Sequence, residues 1–116
     1  AANVAACDYV GIVSGRDTAD KVAKAGFTAV KSDKVDAPLF AELPMTLECR
    51  LLSYDQSCGC AVGEIVNVSA DESILGADGK ISPEKLAPIS YDPVHHKYLL
   101  FSAVAGNAFA AGLELK

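Results

Sequence analysis

The chain has 116 residues, enough for one domain with one modest core. It is 51% apolar and 22% charged, which places it among globular rather than disordered chains, and its formal net charge of −5, with no basic cluster, speaks against a nucleic-acid partner. No apolar run reaches the roughly 18 residues of a membrane span, and no basic-then-apolar leader opens the sequence; the expectation is a cytoplasmic protein, with no membrane partner, whose four cysteines stay reduced.

Residues 1–13 read as a helix whose opening stretch, Ala1-Ala2-Asn3-Val4-Ala5-Ala6-Cys7, has the character of a helix interior and lacks a clear N-cap. Asp17 stands where the N-cap of a second helix over 18–25 belongs, and Gly26 follows as its stop. Between the two helices, Ser14-Gly15-Arg16 gathers backbone N–H groups, a hydroxyl and a guanidinium at one helix N-terminus. That is either an anion site or a plain turn and cap.

Residues 27–31 alternate as a strand does, residues 31–34 form a charged loop, and Pro38 and Pro44 bracket a rigid connection. Residues 45–54 give the clearest strand. Met45, Leu47, Cys49 and Leu51 share one face, with Leu47, Cys49 and Leu51 expected to be buried together, and Thr46, Glu48 and Arg50 share the other. Asp55-Gln56-Ser57 turns the chain, and residues 60–69 return antiparallel. Gly63 inside that strand marks a bulge or a close approach. Ser82 caps a short helix with Pro83 at its first position, residues 97–101 form a last strand, and residues 103–113 are small and apolar.

Several chemistries fail on spacing. Around Asp78-Gly79-Lys80 a calcium loop would put Ile74, Gly76 and Lys85 at ligand positions, which lack the required oxygens. Cys58-Gly59-Cys60 with Cys49, His95 and His96 does not have the two spaced pairs of a structural zinc site, so no metal is expected. No serine elbow and no Gly-x-Gly-x-x-Gly after a strand is present.

The ordered set Asp8-Tyr9-Val10-Gly11-Ile12-Val13-Ser14-Gly15-Arg16-Asp17, Asp20-Lys21, Val35-Asp36-Ala37-Pro38, Leu47-Glu48-Cys49, Gly63-Glu64-Ile65-Val66-Asn67-Val68, Tyr91-Asp92-Pro93, Tyr98 and Gly106-Asn107-Ala108-Phe109 resembles the flavin reductase-like family of flavoredoxin-type proteins. The resemblance implies a mainly β fold with short helices: a partial FMN-binding split β-barrel, its N-terminal strands missing, with residues 1–116 as the C-terminal part of a single domain. It implies an FMN-binding oxidoreductase that moves electrons from NADH or NADPH to flavin or to a redox protein partner, working as a homodimer. The alternatives are a non-enzymatic FMN electron carrier and a ligand-free fragment.

Carried over residue by residue, the resemblance implies flavin contacts at Ser14, Gly15, Arg16 and Lys21, with Lys21 as a cation for phosphate or reduced flavin. It implies further contacts at Cys58, Tyr91 and Tyr98. Cys58 is a departure, since many relatives have a histidine five residues before the glycine–glutamate pair. A thiol does not replace imidazole as an acid–base group at neutral pH, which weighs against nicotinamide-driven turnover.

Overall fold

Local alternation and turn chemistry build three antiparallel hairpins, joined by short helices and polar ties. The computed structural model describes residues 1–101 and 103–115, and among them each sheet has two strands and none closes into a barrel. The fold is therefore mainly β with short helices, and it is elongated, 57 × 34 × 30 Å.

Helix α1 (Val4–Ile12) starts later than the expected 1–13, because Ala2 and Asn3 form a turn into it. The opening residues are thus not helix interior. Asn3 occupies the N-cap without capping through its side chain; its Nδ2 donates instead to Glu42 O at 3.0 Å. Helix α2 (Lys21–Lys24) is shorter than the expected 18–25, and Asp17 does not cap it. The amides of Asp17 and Thr18 both turn back onto Ser14 O, at 3.2 and 3.1 Å, so this segment closes on itself before a helix can begin. Asp20 takes the N-cap and pairs with Lys24 at 3.1 Å, and Gly26, at φ 80°, ends the helix in the left-handed region, as its sequence position predicts.

Strands β1 (Ala29–Lys31) and β2 (Pro38–Phe40) pair antiparallel, Val30 opposite Leu39. The bracketed segment expected as a rigid connection is therefore partly strand. Pro38 opens β2 in a two-stranded sheet, where its missing N–H costs little. Phe27, buried, packs its ring 5.2 Å from that of Phe40. Glu42 closes this hairpin, with both carboxylate oxygens accepting from Thr28 N at 3.0 and 2.9 Å.

Strands β3 (Met45–Asp55) and β4 (Cys60–Ala70) form a long antiparallel ribbon, extending one residue past each expected strand end. The register shifts between Glu48 and Cys49 and again between Leu51 and Ser53. Gly63 lies opposite Leu51 beside the second shift, and a Cβ there would come within 3.2 Å of Cys49 Cβ, so the glycine answers a close approach.

The burial of the ribbon reverses the expectation. Leu47, Cys49 and Leu51 are exposed, together with their same-face partners Val68 and Ile65, whereas Glu48 on the other face is 3% exposed. The reason is physical: the loop before β2 covers the Glu48 face and meets it with hydrogen bonds. Lys34 N donates to Glu48 Oε2 and Asn67 Nδ2 to Glu48 Oε1, both at 2.7 Å. The Asn67 side chain first, and the Lys34 amide second, hold the Glu48 carboxyl below its ordinary range.

A 3-10 turn, Glu72–Ile74, buries Ile74 and is capped by Asp71, which accepts from Ser73 N at 2.7 Å. Helix α3 (Pro83–Leu86) begins as its sequence predicts, with Ser82 Oγ accepting from Lys85 N at 3.3 Å. Strand β5 (Ile89–Asp92), not expected from sequence, pairs with β6 (Lys97–Leu100), the anticipated last strand. A 3-10 turn, Ala111–Leu115, follows an exposed segment.

Two outcomes follow from this burial. Leu47→Ala changes unfolding free energy by less than about 1 kcal/mol, since the side chain is already 47% exposed. Glu48→Ala lowers the melting temperature further than Leu47→Ala. Because the folded state lowers the Glu48 pKa, its contribution is present above the unfolded value and is lost as pH falls through the folded one. Thermal melts from about pH 6 to about pH 3 fall more steeply for the wild type than for Glu48→Gln.

Candidate functional site

Helix α1 is the element around which the expected site residues gather. Lys21 reaches back to its C-terminal end, where the ammonium donates to Val10 O and Val13 O, both at 3.0 Å. Those carbonyls have no intrahelical donors, and a cation there meets the negative end of the helix dipole. Gly15 lies over this side chain: a Cβ on it would sit 3.8 Å from Lys21 Cε, in ordinary contact. Lys21 is thus neither a solvated surface lysine nor a free cation. Two of its three ammonium protons already serve the protein.

The Ser14-Gly15-Arg16 turn is tied mainly through the two oxygens of Ser14. Ser14 Oγ accepts from Arg16 N at 3.2 Å, and Ser14 O takes the two amides already described. Arg16 is exposed, and among the described residues its guanidinium has no hydrogen-bonding or ion-pair partner. The expected helix N-terminus is not here, since α2 begins at Lys21. What remains at this end of α1 is a cationic corner made by Arg16 and the third proton of Lys21.

Tyr98 meets the same helix along its side. Its hydroxyl donates to Asp8 Oδ1 at 2.9 Å, and this bond to a carboxylate, with some burial, pushes the phenol pKa up. Tyr91 is the cross-strand partner of Tyr98, and their ring centroids lie 5.7 Å apart at 54°. Tyr91 Oη pairs with His96 Nδ1 at 2.7 Å, while His95 Nδ1 pairs with Asp92 Oδ2 at 2.7 Å. The structure therefore brings Tyr91 and Tyr98 together, and Asp8 links them to the helix that Lys21 caps.

Asp8 and His96 are polar partners that the sequence reading did not single out for the site. Asp8 opens the glycine-basic run, two residues ahead of Val10. The signal for His96 is the tight Pro93-Val94-His95-His96 turn between two short strands, which puts His96 in the left-handed region at φ 53°. Cys58 stands apart. It is exposed in the turn between β3 and β4, with Sγ donating to Asp55 O at 4.0 Å, and no hydrogen bond or ring contact ties it to Lys21, Tyr91 or Tyr98 among the described residues.

An apolar groove of about 300 Å³ runs between the start of α1 and Pro44, Leu86 and Pro88; another of about 270 Å³ lies along Val30, Asp36 and Pro38. Neither is lined by an expected site residue. Among the described residues no three His, Cys, Asp or Glu side chains gather as metal ligands, and no helix is long and apolar enough to cross a membrane.

Removing the Lys21 ammonium leaves two helix-end carbonyls unpaired. Lys21→Met lowers unfolding free energy by about 1–3 kcal/mol and reduces helical circular dichroism, without any ligand present. A separate measurement reads the Asp8 bond. Ultraviolet titration of the phenols shows Tyr98 ionising at lower pH in Asp8→Asn, because the raised pKa comes mainly from that carboxylate.

Among solved structures, flavoredoxin of Desulfovibrio vulgaris (Miyazaki F) superimposes with a TM-score of 0.84 and 38% identity, over 96% of this chain and 60% of that one. An FMN-binding domain of a flavin reductases-like enzyme from Shewanella baltica aligns with a TM-score of 0.73 at 18% identity, over 91% of this chain and 58% of that one. Nitrilotriacetate monooxygenase component B from Bacillus cereus aligns with a TM-score of 0.67 at 21% identity, covering 90% and 54%. The last two show a shared fold alone. No protein-family model and no curated protein matches the chain. The chain thus spans little more than half the length of these structures, and the 38% identity to flavoredoxin along nearly all of it, with the same fold, supports a flavin reductase-like family.

Proposed function

We propose that this protein binds FMN non-covalently and passes electrons to a redox protein partner, as a cytoplasmic homodimer of the flavoredoxin type. The observation that carries the reading is the 38% identity to a flavoredoxin over 96% of the chain. The residues present fit FMN in their chemistry. A phosphate monoester is matched by the exposed Arg16 guanidinium and the remaining Lys21 proton. A flat ring is matched by the exposed Tyr91–Tyr98 pair, whose hydroxyls are held by His96 and Asp8.

In this reading Arg16 binds phosphate as a fork, and Lys21 adds a point charge while remaining the cap of α1. Ser14 and Gly15 shape the turn that carries Arg16. Asp8 keeps Tyr98 protonated, so that its phenol stays neutral beside a ligand. Bound FMN supplies the redox chemistry; the protein holds it and tunes its potential. Electron supply from NADH or NADPH is the second reading, and Cys58 weighs against it, since a thiol stands where many relatives have imidazole.

Flavin fluorescence titrations of the full-length protein test this directly. FMN is expected to bind more tightly than riboflavin, and Arg16→Ala to weaken FMN by about tenfold, ~1.4 kcal/mol, while leaving riboflavin unchanged. Failure of either flavin to bind sinks the proposal. In the anaerobic protein–FMN complex, dithionite bleaches the flavin and NADH or NADPH does not; rapid bleaching by a nicotinamide cofactor favours the reductase reading instead.

A further inference from the structure

We propose that Cys58 and Cys60 form a dithiol that exchanges with low-molecular-weight aliphatic disulfides, closing a reversible bridge at the tip of the β3–β4 ribbon. The inference stands on the placement of these two side chains and is independent of flavin binding.

The turn between the long strands spans residues 56–59, and Cys60 opens β4 opposite Asp55. Both thiols are exposed at the end of the ribbon. Cysteines at i and i+2 of an extended strand share a face but stand about 7 Å apart along it, too far for a direct sulfur–sulfur bond. Here Gly59 bends the chain instead, with φ at 69° and open space where a side chain would lie. The bend turns Cys60 back over Cys58: Cys60 Sγ lies 3.9 Å from Cys58 O. Cys58 Sγ in turn donates to Asp55 O at 4.0 Å, so both sulfurs are held on the same few residues of turn.

The two thiols also sense each other. The Cys58 side chain hydrogen-bonds Cys60 and raises the pKa of that thiol, with burial adding a smaller push in the same direction. Cys60 thus keeps its proton to higher pH than an ordinary thiol, and in the proposed order Cys58 attacks first. Cys49 lies far along the ribbon, opposite Ile65, and Cys7 lies on α1 beside the apolar groove, so neither competes for this partner.

The chemistry balances without a further reagent. The Cys58 thiolate attacks one sulfur of the small disulfide RSSR, breaking its S–S bond. A Cys58–S–SR mixed disulfide forms and RS⁻ leaves, taking up the proton lost from Cys58. The Cys60 sulfur, once deprotonated, then attacks Cys58 Sγ, forming the Cys58–Cys60 bond and releasing the second RS⁻, which takes the Cys60 proton. The protein is oxidised by two electrons and RSSR is reduced to two RSH. A bridge closed over a single glycine and open to solvent gains little from loop closure and is within reach of an incoming thiolate, so the reverse reaction with excess RSH is equally available.

The test uses the full-length, reduced protein, glutathione disulfide as the probe, and intact-mass analysis followed by peptide mapping. The expected product has lost two hydrogens, carries no glutathione, and maps its bridge to Cys58 and Cys60; excess reduced glutathione restores the original mass. Cys60→Ser is expected to accumulate a stalled glutathione adduct on Cys58, and Cys58→Ser to form no intramolecular bridge and to carry at most a glutathione adduct on Cys60. A wild-type protein that accumulates a stable glutathione adduct, bridges through Cys7 or Cys49, links two copies of the chain, or remains fully reduced overturns the proposal. The wild-type mass alone decides it, whatever the variants do.

Discussion

The Glu48 carboxylate is the tie on which the arrangement of the hairpins depends. It sits in the middle of the longest ribbon, 3% exposed, and accepts from Asn67 across the strands and from the Lys34 amide in the loop ahead of β2. A buried carboxylate is costly unless its oxygens are met, and here each oxygen has a donor at 2.7 Å. The effect is to fix the β1–β2 hairpin against one face of the ribbon. Similar polar ties recur where a large core would otherwise do the joining. Glu42 holds the Thr28 amide, Asn3 holds Glu42 O, Lys21 holds the end of α1, and Tyr98 holds Asp8. The buried apolar residues among those described, Phe27 and Ile74, sit in separate places and do not form a continuous core.

Helix α1 carries a second consequence of that design. Its nine residues include no buried side chain, so packing alone does not hold it. It is held at its ends and by one side chain: Asn3 at the start, Lys21 at the finish, Asp8 between. The same contacts tie Lys21 and Tyr98, two of the candidate flavin residues, to one helix. Anything that moves Lys21 or Tyr98 away from these partners loosens the helix.

The readings that rest on short-range chemistry were legible in the residues. The Ser82-Pro83 start of α3, the Gly26 stop of α2, the pairing of the long strands and the close approach at Gly63 each follow from one or two residue types whose backbone demands are strong. What was not legible depended on partners far along the chain. Period-two alternation in β3 separates its two faces, but it does not say which face another segment covers; Glu48 on the polar face is the buried residue, because Lys34 and Asn67 meet it, while Arg50 on the same face stays exposed. Asp17 looked like a cap until Ser14 O captured its amide. Strand β5 is too short for a period to register, and only its pairing with β6 makes it a strand. Of the candidate site, the residue types were visible, and so was their order. The double duty of Lys21 was not, since nothing local to Asp20-Lys21 indicates that the side chain reaches back to Val10 and Val13.

The open face of the ribbon bears on the thermodynamics of the whole molecule. Leu47, Leu51, Ile65 and Val68 are about half exposed or more in the folded state, so unfolding uncovers less new apolar surface than the composition would imply. The heat-capacity increment of unfolding scales with that newly exposed surface, and it sets the curvature of stability against temperature. A small increment flattens the curve, broadens the thermal transition and lowers sensitivity to denaturant. Covering the face would reverse each of these at once, so calorimetry reports on whether it is covered in solution without requiring that the covering partner be known.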